Sequence, residues 1–257
     1  MGFLQEILAS TRARIAEAKT KLSEDVLEQR IAALAPPRDL RAALLRETPS
    51  VIAEIKRATP SRGPLKENLD AARLAAAYEA GGAAAISVLT EPDFFMGSME
   101  DLQAARSASP PLLRKDFILD EFQLLETRAA GADAVLLIVR ILGDSLADLV
   151  AATRALQMEP LVEVFHSEEM DAALGAGASI IGVNHRDLET FEVDTQRTAK
   201  LAAGVPDTVV LVALSGVSSR AEVEELADAG AQAVLVGESL VTAADPGAKL
   251  RELRGRP

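Results

Sequence analysis

Cysteine is missing from all 257 residues, and with it go disulfides, thiolate nucleophiles and cysteine-ligated zinc or iron–sulfur centres. Histidine is nearly missing too. His166 and His185 are too few for a histidine-rich metal site, so neither a metal nor a cofactor is expected. Tryptophan is absent and aromatics make up 3% of the chain against 49% apolar residues, so the core must be built from Ala, Val, Leu and Ile. Parallel sheets covered by helices are built this way. Positive charge is scarce: 27 Lys and Arg against 39 Asp and Glu give a formal net charge of -12, which argues against nucleic acid or a membrane surface as partner. An anionic ligand would have to meet a local cluster of cations. No run approaches the roughly 18 apolar residues that span a bilayer. The opening Met-Gly-Phe-Leu-Gln-Glu lacks the plan of a secretion signal, and Glu6 stands where a myristoylation site needs Ser or Thr. A soluble cytoplasmic protein, monomer or weak homodimer, is expected.

What is present begins with Leu4, Ile7, Leu8, Ile15, Leu22, Val26 and Leu27 at near-helical spacing among charges, which predicts an amphipathic helical lead-in over Phe3 to Arg30. Pro36-Pro37 breaks it, and a short helix follows around Leu40 to Leu45. A unit then recurs. Ala80-Gly81-Gly82-Ala83, Ala130-Gly131-Ala132, Ala176-Gly177-Ala178 and Ala229-Gly230-Ala231 each close a helical stretch with a glycine cap and open an apolar run. Those runs are Ala84 to Leu89, Ala134 to Val139, Ser179 to Val183 and Ala233 to Val236. Between them fall Val51 to Ile55, Pro111 to Arg114, Pro160 to Val164 and Thr208 to Ala213, making eight. Runs apolar throughout imply strands buried on both faces, and the helices between them imply right-handed crossovers. The segment after the first strand, Glu54-Ile55-Lys56-Arg57, has none of the glycines of an open dinucleotide-binding sheet. The fold class is therefore α/β, a (β/α)8 TIM barrel forming one domain over 1–257, with a helical extension at 1–48 and the barrel at 49–257.

A barrel carries its site at the C-terminal ends of its strands. The polar residues there are Glu54 and Lys56, Thr90 and Glu91, Lys115 and Asp116, Arg140, Glu163, Asn184 and Arg186, Ser215, and Gly237. Singly, any of these is as often half of a rim salt bridge. Lys56 and Lys115 stand out, because each directly follows a buried strand whose alternation turns it toward the mouth or the interior. Desolvating an ammonium there costs several kcal/mol unless a counter-charge or a bound anion offsets it. Leu214-Ser215-Gly216 and Gly237-Glu238-Ser239 after the last two strands present backbone N–H groups, the usual place for phosphate on this fold.

The segment Glu54-Ile55-Lys56-Arg57-Ala58-Thr59-Pro60-Ser61 resembles the E-x-K-x-x-S-P-S signature of the indole-3-glycerol phosphate synthase family. Further matches follow in order at Leu89-Thr90-Glu91, Phe95-Met96-Gly97-Ser98, Leu113 to Phe117, Leu136 to Val139, Glu159 to Val164 and Ile181 to Leu188. The resemblance implies a ribulose 5-phosphate derivative of anthranilate as substrate, a small phosphorylated molecule, and ring closure with loss of carbon dioxide and water. It implies Lys115 as general acid, Glu163 as proton carrier in the later steps, Lys56 on substrate anions with Glu54 orienting it, and Asn184 and Arg186 on polar groups of the substrate. Ser61, Ser215, Gly216, Gly237 and the backbone of Glu238 would surround the phosphate, with Phe95 and Phe117 beside the anthranilate ring.

The chain departs from the family pattern at Thr59 for Ser, Met96, and His185 for a second Asn, each read as tolerated. His166 is read as a surface loop residue. Leu214 stands where the family has Glu, at a cost of about 1 to 3 kcal/mol of transition-state stabilisation. That substitution motivates an alternative, a binding barrel of the same family with little or no turnover. A neighbouring isomerase of the same pathway is disfavoured because a Cys base is expected there.

Overall fold

The computed structural model describes residues 2–60, 62–66, 68–187 and 189–256. Eight parallel strands close into a barrel: β1 (Ser50–Ile55), β2 (Ala85–Leu89), β3 (Leu112–Lys115), β4 (Ala134–Ile138), β5 (Glu159–Val164), β6 (Ile180–Asn184), β7 (Val210–Leu214) and β8 (Ala233–Val236). Each pairs with the next in sequence, and β8 returns to β1 with Ser50 opposite Ala233. The expected eight runs are the eight strands, displaced by a residue or two at their ends.

Side chains alternate along each strand. Ile52, Leu113, Leu161, Ile180, Val212 and Leu235 point inward and pack as one cluster. Val51, Ala53, Ile86, Leu112 and Val234 point outward against the helices. That parity fixes which polar residues can enter the mouth. Some helices between strands start at side-chain caps and end at glycine, as where Asp70 accepts from the Arg73 N–H and Gly82 closes the same helix at φ 84.

The lead-in divides where one helix was expected. α1 (Phe3–Lys21) stops at an extended Leu22, and α2 (Glu24–Ala32) restarts behind Ser23 with Glu24 and Asp25 in its first turn. Acidic groups there favour a new helix start, a local signal that apolar spacing alone passes over. α2 packs on the helix Glu121–Ala129, and Lys19 of α1 reaches Asp120 at 2.8 Å. A third helix, α3 (Leu40–Leu45), plugs the N-terminal end of the barrel with Leu40 and Leu44, both fully buried against the inward cluster. Burial of each contributes about 2 kcal/mol. With the lower end sealed by α3, the opening lies at the other end. No described helix is long and apolar enough to cross a membrane.

Candidate active site

Inward parity carries straight through to the chemistry. Ile52 faces the interior, so Glu54 and Lys56 do as well; Leu113 is followed by Lys115, Leu161 by Glu163, Ile180 by Gly182 and Asn184, and Leu235 by Gly237. Glu54, Lys56, Lys115, Glu163, Asn184, Arg186, Ser215, Gly216, Gly237 and Glu238 all line one cavity of about 470 Å³, as do Phe95 and Phe117. That volume suits a small organic ligand. Ser61 lies outside the described residues.

Two carboxylates define the cavity's polar side. Glu54 is buried and pairs with Lys56 at 2.7 Å, while its Oε2 meets no hydrogen-bond donor among the described residues. Glu163 is buried too; its Oε1 accepts from the Asn184 amide at 2.9 Å and its Oε2 has no donor among the described residues. Burial pushes the Glu163 carboxyl above its ordinary pKa, against the opposing pull of Lys115 and of the Asn184 hydrogen bond. A carboxyl held this way keeps its proton closer to neutrality and can give or take one. Asn184 is itself fixed, its Oδ1 accepting from the Arg186 N–H at 3.0 Å.

The apolar side is aromatic despite the shortage of aromatics. The rings of Phe95 and Phe117 lie 6.3 Å apart at 37°, and Phe3 and Ile7 of α1 join them with Phe191. Phe3 packs edge-on to Phe94 at 5.2 Å and to Phe191 at 5.1 Å. The sequence reading omitted Phe3, Ile7 and Phe191. A signal existed: four of the chain's 7 Phe line this one cavity.

The far end is main chain. Ser215 and Gly216 both adopt left-handed backbone, φ 72 and 81, and expose the turn after β7 to the cavity. Gly237 caps the short helix Glu238–Val241, and the Glu238 carboxylate is turned onto Arg62. A Cβ on Gly237 would come within 2.5 Å of the Glu54 carboxylate and 3.0 Å of the Lys56 ammonium. Gly237→Ala is therefore expected to displace that ion pair and raise KM for a phosphorylated substrate about tenfold, about 1.4 kcal/mol, in steady-state assays.

Four rim residues from the sequence reading do other work. Thr90 and Asp116 have outward parity; Asp116 touches the cavity, yet its carboxylate binds the buried Arg114 at 2.9 Å and the Thr90 hydroxyl at 2.6 Å, bracing the barrel wall. Glu91 is fully buried and accepts from the N–H groups of Asp93, Phe94 and Phe95, capping their helix, with Arg14 at 3.3 Å. Arg140 lies over the Phe165 ring at 4.4 Å, with Glu169 at 3.5 Å. His166 is exposed, as expected. Leu214 is buried in the inward cluster, its side chain close over Gly182.

Acids and bases set on inward parity at the C-terminal rim are what a (β/α)8-barrel enzyme of the acid–base kind requires, and this chain is of that class. Solved barrels of low identity share the fold: thiamine phosphate pyrophosphorylase from Pyrococcus furiosus (TM-score 0.61, 19% identical, 84% of this chain and 96% of that one) and N-acetylmannosamine-6-phosphate 2-epimerase from Clostridium perfringens (TM-score 0.61, 16% identical, 80% and 93%). The chain belongs, more narrowly, to the indole-3-glycerol phosphate synthase family, whose model matches residues 4–253. It is 50% identical over 248 residues to the indole-3-glycerol phosphate synthase of Rhodococcus jostii (strain RHA1), covering 96% of this chain and 92% of that protein. It is 48% identical over 263 residues to the multifunctional tryptophan biosynthesis protein of Schizosaccharomyces pombe, covering 98% of this chain and 35% of that protein.

Proposed function

We propose that this protein converts 1-(2-carboxyphenylamino)-1-deoxyribulose 5-phosphate to indole-3-glycerol phosphate, with loss of carbon dioxide and water, as a step of tryptophan biosynthesis. The observation that carries the reading is the placement of Lys115 and Glu163 on one cavity that also has an aromatic wall and a main-chain cradle. The phosphate is received by the turns at Ser215-Gly216 and Gly237-Glu238, where N–H groups and the start of a helix favour an anion. The aryl ring lies against Phe95 and Phe117.

The anilino nitrogen feeds electrons into its ring, and the ring carbon bearing the carboxylate attacks the ribulose carbonyl. Lys115 gives its proton to the carbonyl oxygen as the carbon–carbon bond forms. Carbon dioxide leaves and returns its bonding pair to the ring. The new hydroxyl then departs as water, taking a proton from Glu163, while the ring carbon beside the nitrogen gives up a proton to form the second double bond, which returns Glu163 to its starting state. Lys56 holds the substrate carboxylate until it leaves, Glu54 keeps Lys56 in place, and Arg186 and Asn184 fix polar groups of the sugar. A substrate carrying a phosphate ester cannot cross a bilayer unaided, so the reaction is assigned to the cytoplasm.

The binding-barrel alternative has no observation in its favour over this one. Leu214 removes a carboxylate but leaves Lys115, Glu163 and the Glu54–Lys56 pair on the cavity. The test is direct: purified protein is mixed with the anthranilate-derived ribulose phosphate and indole fluorescence is followed. Rising fluorescence supports the reading; bound ligand with a flat signal overturns it.

A further inference from the structure

Two of the chain's departures from the family motif, His185 and Leu214, meet in space. The His185 N–H donates to the Leu214 carbonyl at 3.0 Å, where β6 and β7 end side by side with Asn184 opposite Leu214. The His185 ring is fully buried, with Nδ1 3.0 Å from the Ser215 carbonyl oxygen and Nε2 2.7 Å from the Thr198 hydroxyl. A carbonyl oxygen only accepts, so Nδ1 carries the hydrogen and Nε2 accepts from Thr198. Burial holds the imidazole below its ordinary pKa, against the pull of the Ser215 hydrogen bond, and Arg197 lowers it further. Arg197, beside Thr198, donates to the Asn184 and His185 carbonyls at 3.1 and 2.9 Å.

We infer that His185 is a positioning residue that ties the phosphate-side turn at Ser215 to the end of β6. Ser215 needs such a tie. It is not glycine, yet it sits at φ 72, a conformation that costs an L-residue about 1 to 3 kcal/mol unless the surroundings impose it. The Leu214 side chain brings no polar group to the turn, so the side-chain hold falls on the Ser215 carbonyl, which the imidazole meets at 3.0 Å. The strand that carries Asn184, the partner of Glu163, thereby also sets the main chain that receives phosphate. His185 is not part of the cavity lining, and the inference rests on the phosphate placement given under the proposed function.

The test uses His185→Leu, His185→Asn and Thr198→Val in the full chain. Leucine removes both ring hydrogen bonds; asparagine places an amide N–H near the position of Nδ1 and keeps the bond to Ser215. His185→Leu is expected to raise KM about tenfold and to weaken competitive inhibition by inorganic phosphate in parallel, with kcat within about threefold of the parent. His185→Asn restores most of the loss, and Thr198→Val, which leaves the imidazole but not its anchor, raises KM about threefold. A role confined to stability would lower the melting temperature of all three while leaving KM and phosphate inhibition unchanged, and that result overturns the inference. Should the parent not turn over the substrate, the proposed reaction fails separately. Calorimetric titration of inorganic phosphate into parent and variants then decides the His185 question alone: weaker binding to His185→Leu supports it and equal binding overturns it.

Discussion

Replacing Lys115 with alanine should lower kcat about a thousandfold or more while the protein still folds. Loss of a positioned general acid costs about 10²- to 10⁴-fold, and in the proposed mechanism the same group also places positive charge where the carbonyl oxygen becomes anionic. Stability should barely move. Lys115 ends β3 at the cavity, half-buried, where it packs little apolar surface, and removing it leaves no cavity in the core. Steady-state kinetics and a thermal melt check both halves of the expectation. A variant that unfolds would make Lys115 a structural residue and undo the assignment of the general acid. A secondary effect follows from the electrostatics: Lys115 opposes the upward shift of the Glu163 carboxyl, so its loss should push that pKa higher still.

Glu163→Gln should also lose about 10²- to 10⁴-fold in kcat, yet become more stable than the parent at alkaline pH. Burial raises the folded pKa of Glu163 above the ordinary value that the unfolded chain has. Between the two values the folded protein binds a proton that the unfolded one has released, so the parent loses stability as pH climbs from the ordinary carboxylate pKa through the raised one. Glutamine has no such dependence, and its side-chain oxygen still accepts from Asn184. The variant's advantage in melting temperature should therefore be largest above the raised pKa and vanish below the ordinary range. Melts across that interval test it, and an advantage that grows as pH falls would reverse the sign of the argument. This is the pattern expected where a catalytic group is held at a cost to the fold.

The barrel was legible because its strands are buried on both faces and its turns repeat; neither depends on contacts between distant residues. The lining of the candidate site was legible for a related reason, since period-two alternation from buried Ile52, Leu113 and Leu161 carries Lys56, Lys115 and Glu163 to one cavity. The same rule, applied at every strand end, would have removed Thr90 from the rim; Asp116 shares that parity and touches the cavity with its carboxylate held by Arg114 and Thr90. Glu91 was beyond it, because capping Asp93 to Phe95 is a local choice made after the strand has ended. Phe3 and Phe191 were missed for a different reason: they meet across most of the chain's length, and nothing in either neighbourhood announces the other. His185 looked like a tolerated neighbour because its two ring partners, Thr198 and the Ser215 carbonyl, come from a later helix and a later strand.

The seat of Phe3 in the cavity wall has a practical side. Anything appended ahead of that ring lies next to the cavity that takes the sugar phosphate and forms indole-3-glycerol phosphate. The carboxyl end sits elsewhere, with Arg254 clasping Glu47 at 2.7 Å just before β1 enters the sealed floor. Affinity handles and surface tethers intended to leave turnover untouched therefore belong on the tail rather than the head.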